Sequence, residues 1–209
     1  MARKPLTKPR KYATQERSRA TVDALVAATA RILVKEGYDK ASTNRIAETA
    51  GVSIGSLYQY FPSKEALVAA VVERHNEDIM EVVHAVLQET ASLPIGLAVR
   101  QLVTAAIEAH RVDPKLHRVL AEQIPRTGKL ETIDTHGRQI HALFLAYLQA
   151  HKHELRVPDV SLAAFVCVTS IEALTHNAVL HHPEMLTDKA TKTLIDEASR
   201  LVIGYLQAP

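Results

Sequence analysis

An all-helical protein of about nine helices is what this sequence predicts, and three observations predict it. Ala, Leu and Val dominate the composition, and only seven glycines and no tryptophan occur in 209 residues, which favours helix over strand. Apolar residues recur at three- and four-residue spacing through most of the chain. No segment shows the sustained alternation, closed by a tight turn, that marks a β-hairpin.

Residues 1–12 (MARKPLTKPRKY) hold five basic residues and two prolines with no periodic apolar face, so they are expected to be a disordered basic arm. Helical patterning starts near Thr14. Val22, Leu25, Val26, Thr29, Ile32 and Leu33 then mark one buried face, and Gly37 is placed to end that helix in a left-handed cap. A second, short helix is expected from about Thr43 to Ala50, capped by the hydroxyl of Thr43 or Ser42. Gly51 turns the chain into a third helix at about Ser53–Tyr60. Pro62 and Ser63 break it, and Lys64-Glu65 open a fourth helix that can reach Glu89. Pro94, Pro114, Pro125, Pro158 and Pro183 punctuate the remainder, each near a helix start or in a connection where a missing N–H costs least. The intervening helices fall at about 94–111, 114–123, 127–151, 159–181 and 187–207.

Charge is divided unevenly. Residues 1–64 carry twelve Lys/Arg against five Asp/Glu, whereas residues 65–209 carry thirteen against eighteen, within a net charge of +2. A basic front and an acidic rear point to a polyanion partner for the front alone, or to a solvated basic tail. No run of roughly 18 apolar residues is present, so no membrane span is expected. No apolar stretch follows Arg3 and Lys4, so no secretory signal is expected either. Cys167 is the single cysteine and cannot form an internal disulfide, which suits a reducing cytoplasm.

The stretch Thr43–Lys64, TNRIAETAGVSIGSLYQYFPSK, carries the most information. Two helices crossing at a sharp angle need a small residue at their contact, here Ala47, and a turn residue that tolerates positive φ, here Gly51. Ile46, Val52 and Leu57 are placed as apolar anchors, while Ser53, Ser56, Tyr58, Gln59 and Tyr60 crowd the second helix with groups able to reach phosphate or base edges. Tyr58 and Tyr60 could equally pack against neighbouring helices.

The segment GVSIGSLYQYFPSKEAL, preceded by TNRIAETA and by a helix ending EGYDKAST, resembles the TetR family of transcriptional regulators over about residues 14–67. The resemblance implies a helix-turn-helix DNA-binding domain at 13–63, followed by a ligand-binding and dimerisation domain at 64–209. It further implies a homodimer reading a palindrome in double-stranded DNA, most simply a repressor released by a small-molecule effector. The alternative is a DNA-bound regulator that acts through a protein partner. Carried over by position, Thr43 and Arg45 would touch the DNA backbone. Ser53, Ile54, Gly55 and Ser56 would face the groove, with Ile54 suited to a thymine methyl and Gln59 to adenine or phosphate. Tyr58, Tyr60 and Lys64 would grip phosphates, and Arg10 and Lys11 of the arm would follow the adjacent minor groove.

Behind this segment no comparable motif occurs. Residues 159–181, apolar nearly all round and so expected to be buried on all sides, pair with the apolar face of 187–207 as the expected dimer contact. Polar groups stranded on apolar helices are the effector candidates. Glu172, His176 and Asn177 lead, with either a Glu172–His176 pair at helical spacing or a cavity as the explanation. His110, Gln123 and His141 follow. All eleven histidines lie between His75 and His182. The pairs His151/His153 and His181/His182 lack ligand spacing, so surface histidines, no metal and no cofactor are expected. Few aromatics in the rear favour a small hydrophobic effector over a flat stacked one. No nucleophile elbow or glycine-rich phosphate loop is present, so no enzyme is expected.

Overall fold

The computed structural model describes residues 16–127 and 131–207, with side chains from residue 18 and excepting those of 122–127 and 131–136. Among these residues the chain is helical without strands. It runs α1 (Glu16–Glu36), α2 (Thr43–Ala50), α3 (Ile54–Tyr60), α4 (Lys64–Glu89), α5 (Ile95–Arg111), α6 (Pro114–Thr127), α7 (Glu131–Ala150), α8 (Val160–His181) and α9 (Asp188–Gln207). Single 3-10 turns at Lys152–Glu154 and Pro183–Leu186 precede α8 and α9.

The prolines behave as helix punctuation with one exception. Pro94 stands at the start of α5, Pro114 opens α6, and Pro183 opens the second 3-10 turn. Pro125, expected near a break, instead lies in the last turn of α6, which continues to Thr127.

Two compact units emerge, one gathering the chain up to His75 with Lys115–Ile133, the other Asn76–Pro114 with Asp134–Pro209. In the first, the α1 face read from the periodicity is buried as expected from Leu25 to Leu33, with Val22 partly buried at its start. Leu25, Val26, Thr29, Ile32 and Leu33 are each 4% exposed or less, packed with Ile46, Ala47, Leu57, Phe61 and Leu67. Thr29 satisfies its hydroxyl by donating to the Leu25 carbonyl at 2.8 Å, so its burial leaves no orphan polar group. Leu116, Val119 and Leu120 of α6 complete this core, and His75 and His117 share a 2.8 Å hydrogen bond.

Among the described residues two glycines occupy the left-handed region, Gly37 at φ 81° and Gly51 at φ 69°. At Gly51 the backbone N–H is directed at the Ala47 and Glu48 carbonyls, closing α2 while the chain turns into α3. Space is not the constraint there, because a Cβ on Gly51 would meet nothing within 4 Å. The cost of a side chain is therefore the left-handed backbone itself, about 1–2 kcal/mol. Gly51→Ala is expected to destabilise the protein by about that amount in urea unfolding, and a change below about 0.3 kcal/mol would contradict this reading.

The second unit is built around Ile95, Val99, Val103 and Ile107 of α5, Phe144 and Leu148 of α7, Ala163, Ala164 and Cys167 of α8, and Ile195, Val202 and Leu206 of α9. Burial pushes the Cys167 thiol up to about 12, so it behaves as a small apolar residue and not as a nucleophile. Arg111 ties the end of α5 to the start of α9, donating to Asp188 at 2.6 Å and to the Leu186 carbonyl at 3.1 Å. Arg100 pairs with Asp196 between the same helices.

Within the single chain, helix α8 is covered on one side only. Ala163, Ala164, Cys167, Val168, Thr175, Ala178 and Val179 face the core, but Leu162 and Phe165 are 55% and 56% exposed. By length and composition α8 could cross a membrane, with a mean hydropathy of 1.4 over its most apolar window. Its buried small-residue face and its polar Glu172, His176 and Asn177 are those of a core helix with one side open.

Candidate nucleic-acid interface

The candidate interface is built on α2 and α3 of the first unit. Ser42 is the N-cap of α2, its Oγ accepting from the Arg45 N–H at 3.3 Å, which leaves Thr43 in the first turn. Ser53 caps α3, accepting from the Ser56 N–H at 3.1 Å. A seven-residue helix has too few internal hydrogen bonds to hold itself. Leu57, fully buried, anchors α3 to the core, and the cap fixes its start.

With one face anchored, the opposite face is presented. Ser53, Ile54, Gly55, Tyr58 and Gln59 are exposed and Ser56 is half-buried. Ile54, at 38% exposed, is a branched apolar tip on an otherwise polar surface, and Gly55 admits a partner's close approach because it carries no side chain. Thr43 and Tyr58 join their hydroxyls at 3.1 Å, so the two hydroxyls expected to meet the backbone of DNA form one patch. A short hydrogen bond of 2.9 Å likewise links the Ser53 and Ser56 hydroxyls.

Three expected contacts have a different setting from the one their sequence positions suggest. Tyr60 is 9% exposed and belongs to the core. It lies three residues after Leu57, which puts both on the same side of the helix, so its ring packs and does not project. Arg45 is engaged by Glu36 at the end of α1, donating at 2.9 and 2.7 Å. That pair holds the Glu36 carboxyl below the usual carboxylate range through the Arg45 hydrogen bond. Lys64 donates to the Tyr38 carbonyl at 3.1 Å, with its ammonium 3.9 Å from the centre of the Tyr38 ring. The carbonyl takes one of three ammonium N–H groups, and Tyr38 in turn donates to Glu65 at 3.2 Å. Lys64 is thereby held at the α4 N-terminus. Arg10 and Lys11 lie outside the described residues.

Sequence reasoning passed over α1 as part of this surface. Ser18 and Thr21 line an open cleft of about 410 Å³ together with Val52, Ser53, Ser56, Gln59 and Tyr60. The available signal was their three-residue spacing on the polar side of α1. Small hydroxyls bordering the exposed face of α3 offer donors to a phosphate without steric obstruction.

The effector candidates are dispersed. His110 on α5 and His176 on α8 meet edge to face with ring centroids 5.4 Å apart. Glu172 and Asn177 are exposed on α8, and His141 is half-buried on α7. Glu172 makes no hydrogen bond or ion pair among the described residues, so the expected Glu172–His176 pair is not formed. Desolvation pushes the Glu172 carboxyl above, and the His176 imidazole below, their ordinary values. The side chain of Gln123 lies outside the described residues.

Comparison with known proteins follows this division. The family model described as bacterial regulatory proteins, tetR family, matches residues 25–71, and the model described as Tetracyclin repressor-like, C-terminal domain, matches residues 94–206. Nucleoid occlusion factor SlmA of Haemophilus ducreyi is 31% identical over 116 residues, covering 56% of this chain and 55% of that protein. The chain thus spans about half the length of the curated relatives it matches. Among solved structures, a tetR-family transcriptional regulator of Mesorhizobium loti aligns with a TM-score of 0.71 at 19% identity, over 91% of this chain and 97% of that one. The fatty acid degradation regulator FadR of Bacillus halodurans aligns with a TM-score of 0.69 at 18% identity, over 93% and 97%. At such identities the two structures speak to the fold.

Proposed function

Because the chain belongs to the TetR family of bacterial regulatory proteins, we propose that it is a cytoplasmic, dimeric repressor released from a palindromic operator by a small hydrophobic effector. In this reading residues 13–63 are the reading head and 64–209 carry sensing and pairing. The carrying observation is the outward face of α3. Ile54, Gly55, Tyr58 and Gln59 are displayed on a helix whose only large buried anchors are Leu57 and Tyr60. A helix displayed in this way, with a polar surface and an apolar tip, fits the major groove, where a thymine methyl and adenine edges can be read. Thr43, Tyr58 and Lys64, with Ser18 and Thr21, would hold the flanking phosphates, and Arg45 would join them if it leaves Glu36. No catalytic step is assigned to any residue.

Pairing is supported by α8 and α9. Leu162, Phe165 and Leu174 of the first and Leu201 and Tyr205 of the second are all at least 39% exposed. An apolar patch on adjacent helices is what a four-helix two-fold interface would cover.

The test is selection of genomic fragments by the purified protein, followed by footprinting. A protected palindrome with half-sites one helical turn apart is the expected result, and absence of any specific site in moderate salt would count against the reading. Removing residues 1–12, which takes away five basic residues, is expected to weaken binding and flatten its salt dependence, since each lost phosphate contact lowers the slope by about one. Unchanged affinity would remove the arm from the interface.

A second reading is favoured by one observation, the similarity to nucleoid occlusion factor SlmA. In that reading the protein acts on DNA through a protein partner and without an effector. A thermal-shift screen of apolar and acyl compounds separates the two, because a ligand at a hundred times its Kd raises stability by about 2.7 kcal/mol. Stabilisation coupled to operator release supports the effector-controlled repressor, and none across the set supports the partner-dependent reading.

A further inference from the structure

We propose that His110 and His176 of the second unit bind a divalent transition-metal ion of the zinc class, with the remaining coordination positions open to water or to a donor atom of a second ligand. His110 and His176 bring ring nitrogens within 4.8 Å of each other, with their rings nearly perpendicular at 82°. Two nitrogens bound to one tetrahedral zinc ion at about 2.0–2.1 Å stand roughly 3.3 Å apart. Side-chain rotation at either histidine closes the difference of about 1.5 Å or less without moving a helix.

The orientation of His110 is set for this chemistry. Its Nδ1 lies 2.7 Å from the Ala106 carbonyl oxygen. A carbonyl only accepts, so Nδ1 carries the proton, and in the neutral ring the lone pair resides on Nε2. A backbone carbonyl that fixes the tautomer of an imidazole is the outer-shell arrangement found around metal-bound histidines. Glu172 stands one helical turn before His176 on α8 and makes no ion pair among the described residues. It places a carboxyl on the same helix face, where its negative form would be favoured by an arriving dication. Imidazole donors select zinc, nickel, cobalt and copper over calcium or magnesium, which defines the class.

The full-length protein, stripped of metal by chelator and exchanged into buffer, would be titrated with Co²⁺ while its visible d–d absorption is followed. Zn²⁺ competition and elemental analysis would give affinity and stoichiometry. One ion per chain is expected, with His110→Gln and His176→Gln each lowering affinity at least tenfold, and His151→Gln/His153→Gln leaving it unchanged. Far-UV circular dichroism identifies any variant that fails to fold. His176→Ser is a second replacement at a site already exposed in the single chain. Absence of stoichiometric binding, or binding that survives both single substitutions in folded protein, would overturn the proposal. No DNA enters this measurement, so its failure would be distinct from failure of the operator reading.

Discussion

Phe165→Glu combined with Leu201→Glu is expected to give a folded monomer whose operator affinity falls by roughly two orders of magnitude or more. Both side chains are more than half exposed in the single chain, at 56% and 55%, and neither belongs to the buried core of the second unit. Their replacement therefore leaves Ala163, Cys167, Ala198 and Val202 packed as before. In a dimer, by contrast, each would bring carboxylates into an apolar contact, where an unpaired charge is costly to desolvate. Two reading heads held together bind a palindrome with an effective concentration that a lone head lacks, and that linkage accounts for factors of about 10²–10⁴. Light scattering and a gel-shift titration give the two readouts. A variant that remains dimeric would place the pairing surface elsewhere, whereas a monomer with undiminished affinity would contradict the two-headed mode of binding.

Leu57→Ala has the largest expected effect on stability, a loss of about 2–5 kcal/mol from removing a fully buried leucine. The cost should be towards the upper end because α3 is only seven residues long. Its attachment depends on Leu57, Tyr60 and the Ser53 cap, since its internal hydrogen bonds are too few to sustain it. Urea unfolding followed by circular dichroism measures the loss. Gln59→Ala is the informative companion. Gln59 is exposed, so stability should change by less than about 0.5 kcal/mol while the operator preference shifts. A loss below about 1 kcal/mol for Leu57→Ala would mean that α3 is held by something other than this anchor. Equal losses of stability in both variants would remove the distinction between the packed and presented faces of the helix.

Much of the fold was legible in the sequence because the signals that specify helices are local. The α1 periodicity, the glycines at 37 and 51, a cap hydroxyl at Thr43 or Ser42 and the Pro62-Ser63 break all act within about a turn of where they stand; the structure realises each, choosing Ser42 as the cap. The exposed residues Ser53–Gly55, Tyr58 and Gln59 were legible for the same reason. What the sequence determined by itself, then, was the order of helices, the buried face of the reading unit and the resemblance carried by residues 14–67.

Tertiary packing decided the rest. Tyr60 and Tyr58 are chemically alike and two residues apart, yet packing buries one and leaves the other 41% exposed. Arg45 meets Glu36 and Lys64 meets Tyr38 only because α1, α2 and α4 converge. Helix α8 shows apolar residues on every side, and only its neighbours determine which side is covered and which remains open. His110 and His176, remote in sequence, meet because α5 and α8 pack together. Spacing along one helix reports which residues share a face. It carries no information about what another helix will bring to that face, because that contact is set by how distant apolar surfaces fit.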